Sequence, residues 1–114
     1  MNRLFFNWMR YLENKQVGNF LNLYSHNCML FQGNGRKTYY NHEGVFDFYE
    51  PLLFSNDDIL MKTETCCKSP KHPNVILADT KFEFCSKIYD LHHSIFLIHE
   101  KDEFKILCHY TRNN

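Results

Sequence analysis

Residues 88–98 read IYDLHHSIFLI, and residues 103–110 read EFKILCHY. Each is a run rich in β-branched and aromatic residues bounded by polar residues, which is the pattern of a strand. Side chains alternate between the two faces of a strand. The first run therefore sets Tyr89, Leu91, His93, Ile95 and Leu97 on one face and Ile88, Asp90, His92, Ser94, Phe96 and Ile98 on the other. Neither face is wet. In the second run Phe104, Ile106, Cys108 and Tyr110 form an apolar row opposite a mixed row of Lys105, Leu107, His109 and Thr111. A sheet covered by helices on one side shows its other side to water and alternates accordingly. Residues 75–84 do so, with Ile76, Ala78, Phe82 and Phe84 set against Asp79, Lys81 and Glu83. Two apolar faces on 88–98 call for a second cover, and a protein partner suits such a surface.

Upstream of these runs the periodicity changes. Leu4, Phe5, Trp8, Met9, Tyr11 and Leu12 fall on one helical stripe with Asn2 placed to cap it, predicting a helix over about residues 3–14. Val17, Phe20, Leu21 and Tyr24 predict a second short helix ending near Ser25-His26-Asn27. Residues 28–31 then read as a short strand, Gln32-Gly33-Asn34-Gly35 as a turn using glycines at positive φ, and 37–40 as the returning strand. Asn41 is placed as the N-cap of a third helix carrying Val45, Phe46, Phe48, Tyr49, Leu52 and Leu53, in which Pro51 demands a break or a new turn. After residue 58 four strand runs follow, 59–67, 75–85, 88–99 and 103–110, separated by short polar turns. Three helices followed by an antiparallel meander is an α+β order, with the helices on one face of a curved sheet.

At 114 residues the chain makes one domain, 1–114, and its 44% hydrophobic content supplies a packed core. Thirteen basic side chains balance thirteen acidic ones, so no net field draws in a polyanion or an anionic membrane. The opening apolar residues are interrupted by Asn7, Arg10 and Glu13, which excludes a signal peptide or membrane span there. Five cysteines, an odd number with a vicinal pair at 66 and 67 and no Cys-x-x-Cys spacing, read as reduced thiols inside a cell.

Chemistry-bearing residues are sparse in pattern. His92 and His93 are adjacent on a strand and point to opposite faces, and His99 lies about 20 Å from His93, so they do not combine into a metal site. Tyr24, Asp90 and His92 are the candidates for an acid, base or oxyanion role if the domain encloses a pocket. Their spacing specifies no constellation, so neither catalysis nor a cofactor is expected. Lys68, Lys71 and His72 form a small basic loop that reads as a solvated turn.

Three stretches carry a resemblance. Leu30-Phe31-Gln32-Gly33, Phe96-Leu97-Ile98, and Phe104-Lys105-Ile106 followed by Arg112 resemble segments of the nuclear transport factor 2-like superfamily, and the likeness runs over about residues 5–112. It implies a cone-shaped fold of three N-terminal helices packed on a bent antiparallel sheet. Within the superfamily, residues 84–98 are most similar to the small accessory subunit of the heterodimeric mRNA export receptor. The resemblance then implies a heterodimer with the related domain of the large nuclear RNA export factor and joint binding of nucleoporin Phe-Gly repeats. RNA would be contacted only indirectly, membranes not at all, and the chain would shuttle between nucleus and cytoplasm through the pore. The implied partner interface is Tyr89, Leu91, His93, Ile95, Leu97, Leu107, His109 and Arg112, with Arg112 reaching a partner carboxylate. His109 and Thr111 stand where that subunit has an acidic residue and a Phe. The alternatives are a homodimeric carrier of the Ran type, for which Gln32 and Ser86-Lys87 lack the acidic groups, and an isomerase or dehydratase on the same cone.

Overall fold

A computed structural model describes every residue except Met1, Asn34 and Arg36. Helices α1 (Arg3–Glu13), α2 (Val17–Asn22) and α3 (Asn41–Leu53) lie on one face of a six-stranded sheet. Its strands are β1 (Tyr24–Gln32), β2 (Thr38–Tyr40), β3 (Leu60–Lys68), β4 (Val75–Phe84), β5 (Lys87–Glu100) and β6 (Glu103–Asn113), in the spatial order β2-β1-β6-β5-β4-β3. The sheet curls around the helices without closing, and β3 to β6 form the expected antiparallel meander.

Asn2 accepts a hydrogen bond from the Phe5 amide at 3.2 Å and starts α1, which buries Phe5, Trp8, Met9 and Leu12 against the sheet. Lys15, at φ 56°, turns the chain out of α1, and its ammonium donates to the Ser55 and Asp57 carbonyls beyond α3. The β4–β5 and β5–β6 connections are two-residue turns with both residues at positive φ, Cys85-Ser86 and Lys101-Asp102. That is the type I′ geometry whose twist matches the strands it joins.

Several expectations are corrected. The second helix ends at Asn22, and residues assigned to its end begin β1, because Tyr24 and Ser25 are buried beside β6. β1 pairs with β6 in parallel, a long-range pairing that no turn announces. Neither Gly33 nor Gly35 takes a positive φ, while Asn34 lies outside the described residues. Tyr40 occupies the cap position of α3, and Asn41 turns the corner at φ 64°. Pro51 interrupts nothing: it sits in the last turn, where the amide it lacks would bond only the Asp47 carbonyl, and the helix runs on to Leu53.

The β2–α3 corner is close enough to demand glycine. A Cβ on Gly44 would stand 2.9 Å from the Tyr39 carbonyl carbon and 3.2 Å from its Cα. Gly44→Ala is expected to lower unfolding stability by about 1–3 kcal/mol, since backbone has to move. Urea denaturation measures it, and an unchanged midpoint would show that the corner is looser than this.

Candidate functional site

Along the concave face the side chains change character from the closed end to the mouth. Leu30, His109, Ile95 and Ile76 stand in register across four neighbouring strands and are fully buried, as is Ile106. His93 and then Thr80, equally buried, follow at the next inward positions toward the mouth. Beyond them Thr111, Leu91, Phe82 and Tyr89 line a cavity of about 310 Å³, roofed by Trp8 and Leu12 of α1 and by Phe48, Tyr49 and Leu52 of α3. Phe82 and Tyr89 stack at 4.7 Å to form one lip. Gln32 and Asn113 contribute exposed amides elsewhere on the lining.

The polar step behind the cavity is one continuous hydrogen-bonded chain. Trp8 Nε1 donates to the Tyr24 hydroxyl oxygen at 3.0 Å, and the Tyr24 hydroxyl lies 2.8 Å from His109 Nδ1. His109 Nε2 lies 3.0 Å from His93 Nδ1, and His93 Nε2 lies 3.0 Å from Thr80 Oγ1. An indole nitrogen can only donate. The Tyr24 oxygen therefore accepts from Trp8, and neutral imidazoles, each with one donor and one acceptor nitrogen, complete the run through His109 and His93 to Thr80 in either direction.

Their burial enforces that state. Desolvation holds His93 down to about 4, with His92 adding to the effect, and holds His109 well below its ordinary value, with His93 adding. Burial likewise pushes Tyr24 well above a normal phenol and raises Tyr49. Trp8 lies edge-on to both imidazoles, at 5.3 and 5.5 Å, and stacks on Phe5 at 5.5 Å.

The expected partner face is divided by the structure. His93, Ile95 and His109 are completely buried under the helices, so they belong to the core and not to a surface. Tyr89 and Leu91 line the cavity on the same concave side. Leu97 pairs with Ile106 and packs against the core, half-buried. Leu107 is half-buried at an irregularity where Phe96 pairs with Cys108 and Leu97 with Ile106, leaving Leu107 as the extra residue. Arg112 is exposed and forms no salt bridge among the described residues. The physical reason is parity: the set containing His93 turned inward because its two imidazoles satisfy one another beside Tyr24 and Thr80.

The convex face carries the other set. Phe31, Tyr110, Ser94, Leu77 and Cys67 are aligned across five strands, and Met29, Cys108, Phe96 and Val75 are aligned across four. Phe96 is 45% exposed, and Phe31 and Tyr110 touch with ring centroids 5.0 Å apart. The row beside them is polar: Arg112, His92, Asp79 and Thr65. Hydrogen bonds from Thr65, His92 and Asn114 hold the Asp79 carboxyl down to about 2.

The candidate acid, base and oxyanion residues are not assembled. Asp90 and His92 face outward, Asp90 facing Lys81 at 3.9 Å, while Tyr24 is buried behind Trp8. No carboxylate, imidazole or amine lines the cavity among the described residues. Sequence reasoning missed Trp8, Thr80 and Thr111 as partners of this region. The available signal was the recurrence of polar His93, Thr80, His109 and Thr111 at inward parity, which becomes readable only once the inward face is known.

The sequence matches no known family profile and no curated protein. The backbone does match solved structures. A nuclear transport factor 2-like (NTF2-like) protein of unknown function from Pseudomonas putida superposes with a TM-score of 0.77 at 8% identity, covering 96% of this chain and 81% of its own. A hexachlorocyclohexane dehydrochlorinase from Novosphingobium barchaimii gives 0.78 at 12% identity, with 97% and 82% covered. A putative scytalone dehydratase from Novosphingobium aromaticivorans gives 0.78 at 8% identity, with 98% and 80% covered. The chain has the NTF2-like cone fold, three helices on a curled, unclosed six-stranded sheet. At such identities the likeness concerns the fold alone.

Acid should weaken this fold in a defined window. A histidine kept neutral in the folded state but free to protonate in the unfolded chain makes stability fall as pH drops below about 6.5, until the folded-state value is reached. For His93 the loss runs down to about pH 4, at up to about 1.4 kcal/mol per pH unit, and His109 adds to it. Urea unfolding between pH 7.5 and 5 is expected to show this slope. A stability independent of pH over that range would mean that the imidazoles are not buried as described.

Proposed function

We propose that this chain is a non-catalytic pairing domain that packs the convex face of its sheet against a second domain of the same fold. The observation that carries the reading is the pair of mainly apolar rows, one crossing five strands and the other four, centred on Phe96, Tyr110 and Phe31. Sheets pack face to face when both present apolar side chains at matching twist, and a related cone offers such a face. The finer reading follows the sequence resemblance of residues 84–98. The partner is the related domain of the large nuclear RNA export factor, and this chain is its accessory subunit, supporting nucleoporin binding and shuttling while reaching RNA only through the complex. Exposed Arg112, beside the apolar rows, supplies a cation for a partner carboxylate. The absence of charged groups from the described cavity lining supports a role without catalysis.

Light scattering on the chain alone and co-expressed with the large subunit tests both levels. The expected result is a one-to-one complex. Phe96→Asp is expected to weaken it by about 100-fold, and Arg112→Ala by at least about tenfold. A chain that remains at 13.8 kDa beside that subunit overturns the export assignment, and a stable homodimer reassigns the face to self-pairing. Wild-type affinity in Phe96→Asp removes the convex face from consideration.

A further inference from the structure

Phe46 and Phe54 stand outside the buried stripe of α3 formed by Val45, Tyr49 and Leu53, their ring centroids 5.6 Å apart, and Phe54 is 64% exposed. Phe46, Glu50 and Phe54 follow at four-residue spacing, so one line along the helix carries a ring, a carboxylate and a second ring. Two rings gathered in one surface patch are apolar area that only a partner removes from water.

The charges around them say which partner. α3 contains no lysine or arginine, and Glu43, Asp47 and Glu50 are exposed and form no salt bridge among the described residues. Glu43 has a reason within the helix: it sits in the first turn, where the backbone dipole favours an anion. Glu50 has the opposite placement. It lies in the last turn, beside the unbonded carbonyls of the negative end, and no basic residue of that turn offsets it. Lys15, which reaches this end of α3, is committed to the Ser55 and Asp57 carbonyls. The patch therefore lacks a cation. Its field repels phosphates and anionic membranes and attracts a basic protein segment. Arginine fits it better than lysine, since a planar guanidinium lies on a ring face and bonds a carboxylate through two N–H groups at once.

We propose that the outer face of α3 from Phe46 to Phe54 docks an arginine-bearing segment of a partner protein, the guanidinium lying on the Phe54 ring and bonding Glu50, with Asp47 holding a second basic side chain. The convex rows lie on the other side of the sheet from α3, so this surface stands whether or not that face pairs.

Titration of the isotope-labelled chain, followed by its amide resonances at roughly 0.15 M salt, tests it with three capped peptides. The first is Gly-Arg-Leu-Gly-Arg-Leu-Gly-Arg-Gly, and the others carry lysine or glutamate in place of arginine. The arginine peptide is expected to shift amides between Phe46 and Phe54 and to bind about two- to fivefold tighter than the lysine peptide. The glutamate peptide should leave them unmoved. Phe54→Ala should erase the arginine advantage, and the Asp47→Asn, Glu50→Gln double variant should weaken arginine binding about fivefold. All three side chains are exposed, so both variants should keep the wild-type melting temperature. No binding by the arginine peptide, shifts confined to residues outside α3, equal affinity for the two basic peptides, or wild-type arginine binding in either variant overturns the proposal. So does self-association of the chain alone, read by light scattering, that the double variant abolishes, since the occupant would then be a second copy.

Discussion

A linear run of hydrogen bonds, from the Trp8 indole through Tyr24, His109 and His93 to Thr80, ties α1 to four of the six strands in a region without access to water. Each bond alone adds only about 0.5–1.5 kcal/mol, but deleting one member strands its neighbours at about 1–3 kcal/mol apiece. Such a network rewards one register and penalises its neighbours. A one-residue slip of β5 against β6 would carry His93 to the convex face and leave His109 Nε2 with nothing to bond. Trp8, held edge-on by both imidazoles, thereby fixes how closely α1 approaches the sheet, and with it the roof of the cavity.

From this constraint follows a division of labour across a single sheet. The concave side is buried as far as His109, then opens into a cavity whose walls are mainly apolar and carry no charged side chain among the described residues. The convex side carries two apolar rows and a polar row beside them. Strand alternation makes the two independent: a side chain that serves one face is excluded from the other. The same alternation gives β5 its unusual composition, since one parity is core and cavity while the other is exposed apolar surface.

Much of this was readable from the chain. The stripe of Phe5, Trp8, Met9 and Leu12 specified α1, and four β-rich runs punctuated by polar pairs specified the meander. The parity of β5 was not readable, because Tyr89-Leu91-His93-Ile95 and Ile88-His92-Phe96-Ile98 are comparably apolar, and what decides between them is the bond of His93 to His109, which in turn bonds Tyr24 from 85 positions away in the sequence. Histidine in the core contradicts its usual preference and becomes acceptable only when a second histidine and a tyrosine complete its bonds. Leu107 shifted for a different reason: an irregularity in pairing makes it the extra residue, something no alternation rule anticipates. Thr111 looked like a departure from a family aromatic and is instead a buried residue whose hydroxyl finds no partner among the described residues.

β6 comes last in the chain yet lies in the middle of the sheet, between β1 and β5. During synthesis the two halves that flank it, the helices with β1 and β2 on one side and the β3-β4-β5 ladder on the other, share no strand pairing and meet through α1 and β3, where Glu13 bonds Met61 and Met9 bonds Thr63. Closing the gap brings Tyr24 against Ile106, a loop of more than eighty residues, so the slowest entropic step is placed at the end. Until it is taken, β5 has a free edge along His93 and Ile95, and a nascent chain in this state is a substrate for chaperones or for mispairing with another β edge.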